Sequence, residues 1–230
     1  MDGSGAPAPR RRPPEGGYAR GEETRERIIE AAFAVFAEEG YVGASTRRIA
    51  AEAGVNPPAL QYYFDSKEGL HRACGHAAVA HVMRIIGPAV ERAQPALEQG
   101  SRAVAIEALC ALSESLADLA MTDKMAKGWS RFMSRCQNDI TGPAFAIIDA
   151  GFLTPLRGLT TALTAAALDL APGDATAPLH AMLIFSQASA LSLKRDTVLS
   201  MMGWTDFEDE RAAQVKALLR QHVLRVCQAR

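Results

Sequence analysis

The chain has 230 residues, 48% hydrophobic and 22% charged, a balance that excludes disorder over most of its length and accommodates one domain plus a small appendage. Alanine is abundant, aromatic residues make up 6% and β-branched runs are rare, so the composition predicts an all-α protein whose helices pack through small side chains. Lys and Arg total 25 against 26 Asp and Glu, a net charge of -1, which excludes a global basic excess, so any nucleic-acid partner must be met locally.

Residues 1–21 are rich in Gly, Pro and Arg and carry too little apolar surface to offset the entropy of ordering, which predicts a disordered basic arm. Its triplet Arg10, Arg11 and Arg12 fits either phosphate contacts or a solvated tail. The segment lacks the apolar core of a secretory signal.

From Glu22 to Glu39 the residues Ile28, Ile29, Ala32, Phe33 and Phe36 recur at helical spacing, and Gly40 ends that helix. Ser45 or Thr46 can cap a second helix that carries Ile49, Ala50 and Ala53 on one face. Gly54 supplies a sharp turn, Val55 plugs the core, Asn56 can cap, and Pro57 takes a first helical position where its missing N–H costs little. The third helix, PPALQYYF, turns Leu60 and Phe64 inward and leaves Pro58, Ala59, Gln61, Tyr62 and Tyr63 at or near the outer surface. Ser66 then caps a fourth helix through Glu68 and Leu70.

Two short helices around a glycine turn, the second with an outward polar and aromatic surface, fit a DNA-binding helix-turn-helix. Taken with the amphipathic support helix, the run STRRIAAEAGV from Ser45 to Val55 and the Gln-Tyr-Tyr before a Phe and a Lys, residues 22–82 resemble the TetR family of one-component transcriptional regulators. The resemblance implies a three-helix DNA-binding domain over 22–82 with its helix-turn-helix at 45–64, and a helix from Pro57 that enters the major groove. Pro57, Ala59 and Gln61 are then base-edge readers, since glutamine can bond adenine in a bidentate manner and proline or alanine can pack on a thymine methyl. Tyr62, Tyr63 and Lys67 match phosphate-contacting positions, and Thr46 and Arg47 would hold the DNA backbone. Arg47 or Arg48 could instead pair with Glu52. The chain departs from the common Lys-Gly-Ala before Leu-Tyr, having Pro57, Pro58 and Ala59 before Leu60 and Gln61, so base preference does not transfer.

A half-site read by one short helix gives little affinity, so such proteins act as homodimers on near-palindromic double-stranded operators. The dimer would come from residues 83–230, read as a helical dimerisation and ligand-sensing domain broken at Gly87-Pro88, Gly100, Gly142-Pro143, Gly158, Pro172-Gly173 and Gly203. Leu179, Met182, Leu183, Ser186, Ala190 and Leu193 step by three and four along one helix, and Val215, Leu218, Leu219, His222 and Val226 along the last, two stripes that could meet their copies. The final segment, FSQASALSLKRDTVLSMMGW followed by the Val215 to Val226 helix, resembles the CerR-like (YbiH-type) carboxyl-terminal domain of one TetR subgroup over roughly the last hundred residues, which implies sensing of a small-molecule effector. Trp129, Phe132, Met133, Cys136, Phe145, Ile148 and Phe152 could line its pocket, with Arg131, Arg135, His180 or Gln187 orienting a polar group, although ordinary core packing explains the same pattern.

Cys74, Cys110, Cys136 and Cys227 form no CxxC pair and read as free thiols of a reducing cytoplasm. His71, His76 and His81 recur at five-residue steps that spread them around a helix, so no metal and no cofactor is expected. Ala175 to Leu193, interrupted by Pro178, His180 and Gln187, is a poor membrane span, and no membrane partner is expected. The sequence has no GxSxG elbow, phosphate loop or HExxH, so an enzyme is not expected. The expected function is a homodimeric cytoplasmic repressor released by a small molecule. The alternatives are a non-catalytic helical adaptor or a ligand-dependent activator of the same fold.

Overall fold

The computed structural model describes residues 16–121 and 126–228, and every regular element among them is a helix. The expected arm therefore lies largely outside the described residues. The elements are α1 (Gly16–Gly43), α2 (Thr46–Glu52), α3 (Pro57–Phe64), α4 (Lys67–Glu98), α5 (Arg102–Met121), α6 (Ala126–Asn138), α7 (Phe145–Ile148), a π turn (Asp149–Leu153), α8 (Thr154–Ala167), α9 (Ala177–Leu193), α10 (Arg195–Met202) and α11 (Asp209–Gln228).

Local chemistry accounts for the first four. Gly40 takes φ +75 and bends α1 where its amphipathic run ends, and a Cβ there would lie 2.7 Å from Nη2 of Arg135. Ser45 caps α2, its Oγ accepting from the Arg48 N–H at 3.2 Å. Asn56 holds the cap position of α3 without a side-chain bond, and Pro57 follows it as the first helical residue. Ser66 Oγ accepts from the Gly69 N–H at 2.9 Å to open α4. A Cβ on Gly69 would stand 2.1 Å from the Phe64 carbonyl oxygen, so glycine is what lets α4 begin so close beneath α3.

The expected break at Gly87-Pro88 does not occur, because α4 continues through Pro88 and Pro95 to Glu98. A proline inside a helix costs about 3 kcal/mol or more. Ile86, Gly87, Ala89, Ala93 and Ala96 are all buried along that stretch, and their packing overrides the local preference. Gly158 likewise lies inside α8, whereas Gly100, Gly142-Pro143, Pro172-Gly173 and Gly203 separate helices as expected. By length and hydropathy α4 could cross a bilayer; here its stripe of Leu70, Cys74, Ala78, Val82 and Ile86 is buried among other helices.

The core has three parts. The first joins α1 to α4 with Trp129, Phe132, Met133 and Cys136 of α6 and with Ala144, Ile148 and Phe152 beyond it. The second gathers the far half of α4 with α5, α8, α9 and α11, and the third packs Ala117 and Met121 against Ala188, Phe207, Ala212 and Leu219. The boundary expected between residues 82 and 83 falls within α4.

Candidate nucleic-acid interface

Burial of Leu60 and Phe64 fixes the rotation of α3 about its axis and turns the opposite side to solvent. Pro57, Gln61 and Tyr62 are exposed, Tyr62 to 82%, while Ala59 and Tyr63 are half-buried. The two tyrosine rings meet edge to face at 5.1 Å, so Tyr63 buttresses Tyr62 and holds its phenol away from the body. The start of α2 stands beside this surface with Thr46 half-buried and Arg47 exposed.

Lys67 is more committed than its sequence position suggested. Its ammonium donates to the carbonyls of Ala44 at 2.9 Å and Val42 at 3.2 Å and sits 4.8 Å above the Tyr41 ring. It ties the start of α4 to the end of α1, and an ammonium with three donors keeps one for another acceptor. Arg48 pairs with Glu38 and Glu39 of α1, not with Glu52. Arg47 has no ion pair among the described residues.

Behind this surface, helix α6 has two working faces. Phe132 points to α1, edge to face with Phe33 at 5.0 Å and within 5.4 Å of the His71 ring. Met133, Ser134 and Gln137 turn the other way and, with Trp129, line a cavity of about 120 Å³. Leu116, Leu119 and Ala120 of α5, Ala188 and Ser189 of α9, and Phe152 complete its wall. The sequence-predicted pocket is thus divided: Trp129, Met133 and Phe152 line this cavity while also belonging to the first core cluster, and Phe132, Cys136 and Ile148 belong to that core without lining the cavity. Phe145 is half-buried, and Gln187 bonds His222 across α9 and α11 at 2.8 Å instead of entering the cavity. Leu116, Leu119 and Ala120 of α5 and Ala188 of α9 were not singled out from the sequence as pocket residues. The Trp129 indole N–H finds no acceptor among the described residues. A larger recess of about 770 Å³ opens to solvent along α8 and the Pro172-Gly173 turn and shares none of the predicted pocket residues.

His71, read from sequence only as a metal-ligand candidate to be discounted, links these two regions. Its Nδ1 accepts the Ala144 N–H at 3.0 Å, and its ring lies 4.6 Å from Phe36 and 4.8 Å from Tyr41. Burial pushes the imidazole down to about 4; nearby Asp139 opposes that shift and Lys67 adds to it. No group of three or more potential metal ligands occurs among the described residues.

The two predicted association stripes also divide. Leu179, Met182 and Leu183 are 56%, 61% and 60% exposed, and Ser186, Ala190, Leu218, His222 and Val226 are exposed as well. Leu219, at 8% exposure, turns inward to the third core cluster and Val215 packs against it, because α11 needs one apolar side for its own chain. The Leu193 side chain lies outside the described ones.

An all-helical body carrying a helix-turn-helix whose second helix offers an amide and a phenol to solvent defines a DNA-reading protein. Residues 28–74 match the family described as bacterial regulatory proteins, tetR family, and residues 105–230 match the carboxyl-terminal domain of the HTH-type transcriptional dual regulator CecR. CecR of Shigella flexneri is 31% identical over 206 residues, covering 89% of this chain and 91% of that protein. A putative transcriptional regulator from Pseudomonas aeruginosa PAO1 shares the fold with a TM-score of 0.60 at 19% identity, over 90% of this chain and 91% of that one. AibR, solved in complex with isovaleryl coenzyme A and operator DNA, shares it with a TM-score of 0.58 at 17% identity, over 86% and 96%. The chain belongs to the TetR family: it is a DNA-binding transcriptional regulator and not an enzyme.

Proposed function

We propose that the protein is a cytoplasmic homodimer that represses transcription from a near-palindromic operator and is released by a small molecule bound between α5, α6 and α9. The observation that carries the reading is the outward surface of α3, where Gln61 and Tyr62 stand ready for a base edge and a phosphate while Leu60 and Phe64 anchor the helix. Pro57 and Ala59 complete the base-facing set, and Thr46, Arg47, Tyr63 and the remaining donor of Lys67 hold the DNA backbone.

Dimerisation is supported by the exposed apolar row of Leu179, Met182 and Leu183 on α9 beside Leu218 and Val226 on α11, with the small Ser186 and Ala190 permitting close approach. Effector control is supported by α6 itself. A ligand that displaces Met133 or Trp129 moves the helix whose other face bears on Phe33 and His71, and so alters the seat of α1 and α4. The ligand releases DNA to the extent that it binds better to the conformer with wrongly spaced reading helices. AibR, with its ligand and operator DNA, is an example of the fold holding both.

Selection of bound duplexes from a random pool, followed by footprinting, tests the reading. Two equivalent half-sites in a palindrome support it. A folded dimer that enriches no sequence overturns it. A second reading, activation at some promoters, is favoured by the description of the similar Shigella flexneri protein as a dual regulator; it requires transcription to fall at a bound promoter when the chain is removed.

A further inference from the structure

We propose that the cavity between α5, α6 and α9 takes a small, uncharged, largely apolar molecule that carries one hydrogen-bond acceptor, and that the Trp129 indole N–H donates to it. The inference rests on the effector reading above and names the chemistry of that ligand.

The walls of the cavity sort by polarity. Leu119, Met133 and Phe152 are buried and offer carbon and sulfur surface, while Ser134, Gln137 and Ser189 are half-buried or exposed and form a polar rim. The Ser189 hydroxyl is already turned to its own helix, where it donates to the Phe185 carbonyl at 3.3 Å. Among the described residues no charged side chain lines the space, so an ion entering it would lose its hydration with no counter-charge to replace it. A dry apolar cavity of about 150 Å³ holds a benzene molecule. At about 120 Å³, with a rim open to solvent, this cavity suits a ring of that size with one short substituent.

Trp129 fixes what the substituent must be. Its side chain is 7% exposed, and its indole nitrogen is the one nitrogen or oxygen on the buried side chains of the lining. That N–H is itself buried and has no acceptor among the described residues, a condition that is rare and costly in folded proteins. Indole donates and cannot accept, so what satisfies it is an acceptor. A water at that depth needs two to four polar partners, and the buried side chains around it offer this single donor. The indole also lies 5.3 Å from the His81 ring of α4, between ring centroids. Because the N–H is shut in here, its bond to a ligand forms once the indole turns, and that turn alters a contact with the helix that supports α3. The acceptor therefore binds better to the changed conformer, which is what shifts an equilibrium.

The test uses the full-length protein and three probes of nearly equal size: benzonitrile, phenylacetylene, which replaces the nitrile nitrogen by C–H, and benzylammonium. Calorimetry gives their affinities for the wild type and for Trp129→Phe. The preference for benzonitrile over phenylacetylene should be about tenfold greater in the wild type, the value of one buried hydrogen bond, and the smaller ring of the variant acts on both probes alike. Benzylammonium should not bind. If Trp129→Phe does not fold, the wild-type indole proton resonances decide. The chain has two tryptophans, Trp129 and Trp204, told apart with Trp204→Phe. Benzonitrile should move the Trp129 signal downfield of its position with phenylacetylene and leave that of Trp204 in place. No binding of benzonitrile, binding with an unmoved Trp129 signal, equal preference in both proteins, or binding of benzylammonium overturns the proposal. Binding as expected with unchanged operator affinity upholds the site and overturns the effector reading.

Discussion

Acidification should weaken the fold through one residue. The His71 imidazole is neutral in the folded chain because burial holds it at about 4 against 6.5 for a free side chain. As pH falls below 6.5 the unfolded chain takes up a proton that the folded chain refuses, so stability is full above that value and drains away toward pH 4. At about 1.4 kcal/mol per pH unit the loss reaches roughly 2 kcal/mol by pH 5. His71→Asn is the comparator, since its side-chain oxygen can accept the Ala144 N–H that Nδ1 now accepts and does not titrate in this range. Urea unfolding of both proteins at pH 7 and pH 5, at one protein concentration, gives the difference, and carboxylates common to both cancel. The wild type should lose roughly 2 kcal/mol more than the variant. Parallel losses, within about 0.5 kcal/mol, would refute the assignment of a neutral buried imidazole.

Phe132→Ala should cost about 3–5 kcal/mol in denaturant unfolding, because the ring is fully buried between Phe33, Phe36 and His71, and it should weaken DNA binding without altering the reading surface. Lys67→Ala should cost about 1 kcal/mol of stability through its lost carbonyl contacts and weaken binding to all duplexes alike. Gln61→Ala should instead relax base preference at one position by about 1–3 kcal/mol, read from affinities for single-base operator variants. The reverse pattern would exchange the roles of Lys67 and Gln61. Leu183→Glu places a charge in the exposed apolar row of α9 and should shift sedimentation from dimer to monomer at micromolar protein; an unchanged dimer would move the association surface elsewhere.

The reading head was legible because its determinants are local. Ser45 and Ser66 cap within three residues of themselves, Gly54 makes its turn alone, and Leu60 with Phe64 sets the face of α3 at a spacing of four. What was not legible depended on partners distant in the chain. Pro88 reads as a helix end until the buried alanines around it pack against other helices. His71 reads as one of several scattered histidines until Ala144, 73 residues away, donates to it. Phe132 and Met133 are adjacent in sequence and both buried in the first core cluster, yet only Met133 also lines the cavity. The stripe on α11 was visible, but periodicity alone does not say which side its own chain covers, and Leu219 went inward.

The sharing of one core between α1 to α4 and α6 has a practical consequence for anyone who wishes to transplant this specificity. A fragment cut at residue 82 would leave Phe33, Phe36 and His71 facing water where Phe132 now covers them, and would end α4 midway along its buried stripe. The reader is therefore not a detachable cartridge. A chimera that keeps its folding must carry the segment through Phe152 along with it, and in doing so inherits the whole lining of the cavity except Ala188 and Ser189.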